Sequence, residues 1–422
     1  MGLGHFGGGV AAARWLASQG AVVTVTDVAD EQALADSLKG LAGSPIARLH
    51  LGGHRDEDFR QADVVVANPA VRPGNPFVQL AKKSGARITT EIELFVEACQ
   101  APIIGVTGSN GKSTTAAMIA AVLRAQGRIA WLGGNIGRSL LDELPRISAE
   151  HWVVLELSSF QLWHMNPETP MPYVAVITGC TPNHLDWHTD FSEYVAAKQR
   201  MLIGQQADDL AVLNTFDVEA ASWAALVRGQ LLPLYPLERL PKLAVPGRHN
   251  QMNAACAAAA ALGGRCGEGA VQKGLAGFGG LLQRLEWFAV VDGRRFYNDS
   301  TATTPESTLA ALEAIEGPMW LLAGGHDKGF DFGPLAAAIA RRAAGAAFFG
   351  SARELLHRQV AACNPQLPLI SVETMREALG WCWKRSRPGH AIVLSPACSS
   401  HDQFRNFRER GGQFVEMVTG LA

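Results

Sequence analysis

The residues best equipped to do chemistry lie in Gly105-Val-Thr-Gly-Ser-Asn-Gly-Lys-Ser-Thr114. The run follows the apolar Ala101-Pro-Ile-Ile104 and opens into Thr115-Ala-Ala-Met-Ile-Ala-Ala-Val-Leu123. That order reads as strand, glycine turn, helix, in which free N–H groups and the positive helix end cradle a polyphosphate. Lys112 is placed to reach terminal phosphates and Ser113 to bind Mg²⁺. Val106 stands where the usual motif has its first glycine. In His151-Trp-Val-Val-Leu-Glu-Leu-Ser-Ser-Phe-Gln161 an apolar strand ends near Glu156, an oxygen ligand of the kind a hard cation prefers. A second apolar strand, Tyr173-Val-Ala-Val-Ile-Thr178, runs towards His184, Asp186 and His188. Their alternate spacing hints at zinc, but no Cys-x-x-Cys or His-Glu-x-x-His accompanies them. Asp186 and His188 read as polar loop residues.

The elements around these groups read as an α/β protein of three domains. The first, 1–97, is Rossmann-like and begins Met1-Gly-Leu-Gly-His-Phe-Gly-Gly-Gly9, a Gly-x-Gly-x-x-Gly turn through Gly2, Gly4 and Gly7. Asp27 ends the strand Ala21–Asp27 near the spacing at which an acid meets a ribose. Alone, that motif favours an NAD-dependent oxidoreductase. The apolar strand that should precede the turn is missing, which predicts unpaired neighbouring strands and a truncated start. The second domain, 98–279, is a P-loop ATPase-like unit with a parallel sheet. Its Ala254–Leu262 run predicts a helix packed closely on that sheet, and the Leu- and Pro-rich 223–245, shorter than in the family resembled below, implies by that resemblance a trimmed accessory hairpin. The third, 280–422, is again Rossmann-like, with Trp320–Lys328 and Ala391–Ala397 each ending a strand in a polar loop. Ligands gather at such strand ends.

Composition narrows the choices. A chain of 422 residues suffices for two or three cores. With 48% apolar and 18% charged residues it is globular, and a net charge of -2 gives no reason to propose nucleic acid or an anionic membrane. Seven unpaired-looking cysteines and no secretory leader point to a reducing cytoplasm. No apolar run reaches the roughly 20 residues of a membrane span.

Gly-Ser-Asn-Gly-Lys-Ser-Thr114, Leu155-Glu-Leu-Ser-Ser-Phe-Gln-Leu162, Asn183-His-Leu-Asp186, Ala196-Ala-Lys198 and Leu394-Ser-Pro-Ala-Cys-Ser-Ser-His-Asp-Gln-Phe404 resemble the Mur ligase family, in its order and nearly end to end. The resemblance implies ATP-dependent amide formation in peptidoglycan precursor synthesis. The expected reaction adds D-glutamate to UDP-N-acetylmuramoyl-L-alanine through an acyl phosphate.

By the same resemblance, ATP meets Gly108, Asn110, Gly111, Lys112, Ser113, Thr114, Asn250, Asn253, Arg284, Asp299 and Arg410. Two Mg²⁺ are expected on Ser113, Glu156, His184 and Lys198, the last carbamylated, with Lys112, His184 and Lys198 as the catalytic set. A buried lysine loses its proton readily and so can capture CO₂. Gly4, His5, Phe6, Asp27, Asn68, Asn135, Ser158 and Gln161 fall to the UDP-substrate, and Thr303, Lys328, Ser400 and Phe407 to glutamate. Partners are small molecules only, in a cytoplasmic monomer.

Two positions depart from the pattern. Thr301 stands where the family usually has lysine, and Thr304 where it has asparagine. Some relatives similar here use L-glutamate, so the same ligation with L-glutamate is the alternative. Further rivals are a sister ligase, a folylpolyglutamate synthase and a non-catalytic nucleotide-binding protein.

Overall fold

The computed structural model describes residues 1–5, 7–72, 74–136, 139–185 and 187–421. They form two compact units, residues 1–241 with 252–276, and residues 242–251 with 277–422. Phe6 and Asp186 lie outside the described residues.

The first unit opens with two small parallel pairs, β1 (Val23–Thr26) on β2 (Ile46–His50) and β3 (Val64–Val66) on β4 (Arg87–Thr89). They are separate sheets. Between them runs the backbone of Met1 and Gly2. Gly2 N–H donates to Thr26 O (2.8 Å), the Met1 amine to Val66 O (3.0 Å), and Asn68 N–H to Met1 O (3.0 Å). Among the described residues, β1 and β3 have no further strand on that side.

The core of this unit is a six-stranded parallel sheet in the order β10-β9-β8-β5-β7-β6. Its strands are β5 (Ile103–Thr107), β6 (Ala130–Gly134), β7 (Trp152–Glu156), β8 (Val174–Ile177), β9 (Leu210–Leu213) and β10 (Gln230–Leu232). β5, β7, β8 and β9 are buried along their whole length. Helices cover both faces of such a sheet, so its strands read as continuous apolar runs. The alanine stretch of helix Arg248–Gly263 is buried from Ala254 to Ala261. At the end of that helix, a methyl on Gly263 would come within 2.6 Å of Leu232 and 3.0 Å of Leu210, so its last turn lies against β9 and β10. The predicted hairpin is absent: β10 instead lies parallel to β9 as the sheet's edge strand, flanked by the short 3₁₀ turns Trp223–Leu226 and Leu237–Arg239. Its three residues offer backbone groups in register with β9, a pairing no local pattern announces.

The expected first and second domains share one unit for a physical reason. Ala11 and Ala12 of helix Gly8–Ser18, with Ile92, Leu94 and Phe95 of helix Glu91–Ala98, bury into the same apolar cluster as Val153, Leu155 and Ile177. Glu93 adds a polar tie. Its fully buried carboxylate accepts from Thr89 Oγ1 (2.9 Å), Asn166 N–H (3.1 Å) and Thr169 Oγ1 (2.7 Å). A buried carboxylate is tolerated only when its acceptor capacity is used in this way.

The second unit holds another six-stranded sheet, ordered β11-β12-β16-β13-β14-β15. Here β11 (Glu286–Val291) is antiparallel to β12 (Arg294–Asn298). The others, β13 (Met319–Gly324), β14 (Gly345–Phe349), β15 (Leu369–Ser371) and β16 (Ala391–Ala397), are parallel. Apolar clusters lie on its two faces, one around Leu321, Phe348 and Val393, the other around Phe296, Leu322 and Phe414.

Candidate active site

The loop after β5 turns at Gly108 (φ 153°) and Gly111 (φ 83°), then enters helix Lys112–Ala125. Both conformations need glycine. Space demands it too, since a methyl on Gly108 would sit 2.1 Å from Thr178 Oγ1, and one on Gly111 2.3 Å from Asn253 Oδ1. The loop is stitched to the end of β8. Ser109 N–H donates to Gly179 O (2.9 Å), Ser109 Oγ to Thr181 O (2.7 Å), and Thr178 Oγ1 to Asn110 O (2.6 Å). The result is a preset cradle at the N-terminus of a 14-residue helix, where backbone N–H groups and helix dipole both favour an anion.

Two lysines converge on one backbone oxygen of this loop. Lys112 Nζ donates to Gly108 O (2.9 Å) and Ser109 O (2.8 Å), and Lys198 Nζ donates to the same Gly108 O (2.8 Å). Lys198 comes from helix Phe191–Ile203 and is 1% exposed. Its ammonium lies 4.5 Å from the Tyr194 ring centroid, one helical turn back. Burial holds the Lys198 amine well below its usual pKa, and the nearby charge of Lys112 pushes it further down, while Cys180 and Glu156 oppose. Lys198 is therefore a buried, readily neutralised amine.

Beside the lysines, Ser113 Oγ donates to Glu156 Oε2 (2.5 Å) and Asn135 Nδ2 to Glu156 Oε1 (2.8 Å). Ser113 and Glu156 are both buried. A hydroxyl and a carboxylate meeting at the mouth of a phosphate cradle form a hard-oxygen donor set that fits Mg²⁺. His184 is left-handed (φ 56°), with its N–H on Asn183 Oδ1 (2.8 Å). Its ring packs 4.8 Å from Phe160 and 6.4 Å from Tyr194. Tyr194 thus neighbours both His184 and Lys198, and its hydroxyl lies 2.9 Å from Ser109 Oγ. Among the described residues no three His, Cys, Asp or Glu side chains gather as a metal cluster.

His188 differs from its polar-loop reading. It is 2% exposed, stacked on Phe160 at 5.7 Å, with Nε2 3.0 Å from Ser159 Oγ. Trp187 packs against both rings, and its Nε1 donates to Ala70 O (3.2 Å).

The other first-unit candidates are placed as follows. Asp27 Oδ2 accepts Gly4 N–H (3.1 Å) and its Oδ1 accepts Ala29 N–H (2.9 Å), so the carboxylate braces the first glycine turn. Asn68 lies against that turn too, its Oδ1 taken by Ala70 N–H (3.0 Å). His5 is exposed. Ser158 and Gln161 are buried in a reciprocal capping box that starts helix Ser159–His164, a local structural duty. Asn253 lies at Gly111, and Thr114 occupies the first turn after the cradle.

In the second unit, Asn250 Nδ2 donates to Pro246 O (2.6 Å). Asp299 is buried, accepts from Ser395 Oγ (2.7 Å) and Leu285 N–H (3.0 Å), and burial raises its pKa to about 7. Arg284, in the loop before β11, is exposed, and its charge acts on Asp299. Arg410 is 0% exposed. Its guanidinium donates to Ser300 Oγ (3.1 Å), Ser300 O (2.9 Å) and Cys398 O (3.1 Å), and burial lowers its pKa to about 10. Three of the five guanidinium N–H donors of Arg410 are spent on these buried oxygens, so the side chain braces this corner from inside. Phe407 O accepts Ser300 Oγ (2.8 Å), tying the same corner together. Lys328 is exposed on a turn whose Asp327 Oδ1 accepts Gly329 N–H (2.8 Å); Thr303 is half-buried and Ser400 buried.

Family comparisons match this arrangement domain by domain. Residues 1–90 fit the description "Mur ligase MurD-like, N-terminal domain", residues 106–235 "Mur ligase middle domain", and residues 283–398 "Mur ligase, glutamate ligase domain". The chain belongs to the Mur ligase family.

Among Mur ligase relatives, UDP-N-acetylmuramoylalanine–D-glutamate ligase of Symbiobacterium thermophilum is 34% identical, covering 97% of this chain and 95% of that protein. The enzyme of that name from Roseiflexus sp. is 36% identical over 99% and 97%. Among solved structures, UDP-N-acetylmuramate–alanine ligase MurC of Thermotoga maritima shares the fold with a TM-score of 0.63 at 19% identity, covering 98% of this chain and 97% of that one. MurF ligase of the same organism, in complex with ADP, has a TM-score of 0.59 at 15% identity, with 86% and 98% covered.

Sequence reasoning missed Tyr194 and Thr178 in this Mur ligase. The signal for Tyr194 was present in Tyr194-Val-Ala-Ala-Lys198, an i,i+4 pair on one helix face. Thr178 carried none, because its partner Asn110 is 68 residues away.

Proposed function

We propose that this Mur ligase is an ATP-dependent UDP-N-acetylmuramoylalanine–D-glutamate ligase of peptidoglycan precursor synthesis. The observation that carries this reading is the meeting of Lys112 and Lys198 on the Gly108 carbonyl beside the Ser113–Glu156 pair. ATP's γ-phosphoryl group passes to the alanine carboxylate of the UDP-sugar. The amine of glutamate then attacks the acyl phosphate, an amide forms and phosphate leaves. Phosphoryl transfer asks the protein mainly for positioning and charge neutralisation. The cradle's N–H groups orient the phosphates, and Lys112 shifts from the loop carbonyls to the terminal phosphates.

Mg²⁺ when bound supplies further neutralisation of the transferring phosphoryl group. Ser113 and Glu156 would hold one ion; His184 and a carbamylated Lys198 would hold a second. Carbamylation joins the neutral Lys198 amine to CO₂ and releases a proton, giving an anionic oxygen ligand, and the depressed basicity of Lys198 favours the amine it requires. The UDP-substrate is assigned to Gly4, His5, Asp27, Asn68, Asn135, Ser158 and Gln161. Asn110, Thr114, Asn250, Asn253, Arg284 and Asp299 complete the nucleotide contacts, and Thr303, Lys328, Ser400 and Phe407 those to glutamate. Domain boundaries near 97 and 279, a monomeric state and a cytoplasmic setting belong to the same reading. No helix of the described residues is long and apolar enough to cross a membrane.

The test is to incubate protein, ATP, Mg²⁺ and UDP-N-acetylmuramoyl-L-alanine with D- or L-glutamate and weigh the product. A gain of one glutamate residue from the D isomer is expected. Product from the L isomer alone would overturn the stereochemical assignment, and no product from either would overturn the activity.

A further inference from the structure

The loop joining the helices of the nucleotide-binding half to β11 has an unusual backbone. Gln283 (φ 59°) and Leu285 (φ 45°) both lie in the left-handed region, where residues with a Cβ are strained. Arg284 stands between them and is exposed, whereas Leu285 is buried and Gln283 half-buried. Such strain persists only where the surroundings over-determine it, and here they do. Gln283 O accepts both Thr301 Oγ1 (2.8 Å) and Thr301 N–H (3.2 Å). Gln283 N–H donates to Glu286 Oε2 (2.7 Å), and Leu285 N–H to Asp299 Oδ1 (3.0 Å). The Gln283 amide donates to Arg408 O (3.0 Å) and is pressed against Gly411, where a methyl would come within 2.3 Å of Gln283 Cδ.

The arrangement also carries a second cost. Gln283 Oε1 is a buried acceptor with no hydrogen-bond partner among the described residues. A glycine at 283 would adopt the same φ without strain and bury no orphan oxygen. A costly backbone held from both sides of one exposed arginine is what a presentation device requires, because a side chain fixed in advance loses less freedom on meeting its ligand.

We propose that Gln283, Leu285 and Thr301 are positioning residues that lock the backbone on both sides of Arg284, so that its guanidinium meets the phosphates or ribose of ATP in one preset orientation. The inference rests on the assignment of Arg284 to the nucleotide. It also accounts for Thr301, whose hydroxyl is spent on Gln283 O rather than offered to a substrate.

The test varies ATP in steady-state assays of R284A, T301V, T301S and Q283G, with melting temperature measured in parallel. R284A raises the KM for ATP about tenfold or more. T301V loses one neutral hydrogen bond and raises the KM for ATP about fivefold, with kcat and the KM for glutamate within about twofold. T301S keeps the hydroxyl and returns to wild-type values. Q283G raises the KM for ATP while its Tm stays within about 2 °C of wild type, since relieved strain offsets the lost side-chain contacts.

If R284A raises the KM for ATP while T301V and Q283G leave it at wild type, the arginine is not positioned by this loop and the proposal fails. It fails equally if every constant and Tm fall together, which marks a purely structural loop. If R284A itself leaves the KM for ATP unchanged, the assignment of Arg284 has failed and the proposal falls with it. Should T301V not fold, T301S and Q283G decide the matter.

Discussion

Two sharp backbone turns, one in each unit, are built by opposite means. The phosphate cradle of the first uses Gly108 and Gly111, which accept their φ values without strain and pack so closely that no methyl fits. The turn before β11 in the second unit places Gln283 and Leu285 in the left-handed region instead, as Ala397 (φ 61°) does at the end of β16. Glycine gives a close approach to ligand and neighbour at a cost borne by the unfolded chain. A strained residue with a side chain needs outside holds such as Thr301 and Asp299. The first solution is written in composition and the second in tertiary contacts.

The largest expected effect falls on the glycine-built side. Lys112→Ala removes the ammonium over the cradle and should lower kcat roughly a thousandfold, measured as phosphate release with all three substrates. Residual turnover within tenfold of wild type would mean that the cradle alone does the work. Next comes Gly111→Ala, which forces a methyl against Asn253 Oδ1 at φ 83°. Its expected cost is about 1–3 kcal/mol, seen as a drop of several degrees in Tm and weaker ATP binding by calorimetry. The complementary change in the second unit is Ala397→Gly. Relief of a left-handed alanine nearly cancels the lost buried methyl, so stability should change by less than about 1 kcal/mol. Equal losses in G111A and A397G would erase the contrast between the two kinds of turn.

The smallest effect concerns two carboxyls that burial pushes up to about 7, Glu91 in the first unit and Asp299 in the second. Glu91 has a hydrogen bond from Ser139 to oppose the rise; Asp299 has Ser395, the Leu285 N–H and two arginine charges. Each is protonated in the folded protein at a pH where the unfolded chain has already ionised. Folding therefore takes up protons, and the contribution to stability is complete in acid and is lost as pH rises from the ordinary carboxyl value towards 7. Glu91→Gln should flatten the fall in Tm between about pH 4.5 and pH 7, the span of that shift. An unchanged slope would show that Glu91 ionises normally.

Much of the chemistry was legible because it is local. Glycines, Lys112 and Ser113 fall within a few consecutive residues, and Glu156 ends an apolar strand that could only be central. The parallel core was legible for the same reason, in uninterrupted runs such as Val153–Leu155 and Val174–Ile177. What escaped was set by distant partners. Nothing near Gln230 says that β10 will pair with β9 rather than fold back as a hairpin. Arg410, expected on a phosphate, gives no local sign that Ser300 and Cys398 take three of its donors. His188 reads as a loop polar group until Phe160 and Ser159 enclose it. The left-handed Gln283 is the extreme case, since its conformation is imposed by residues 18 and 125 positions later in the chain.

The oxygen shared by Lys112 and Lys198 belongs to the main chain of Gly108. No point mutation can delete a peptide carbonyl, so the anchor of this lysine pair lies beyond the reach of ordinary amino-acid exchange. Variation can reshape either lysine, yet the spot where they meet endures for as long as the loop keeps its course.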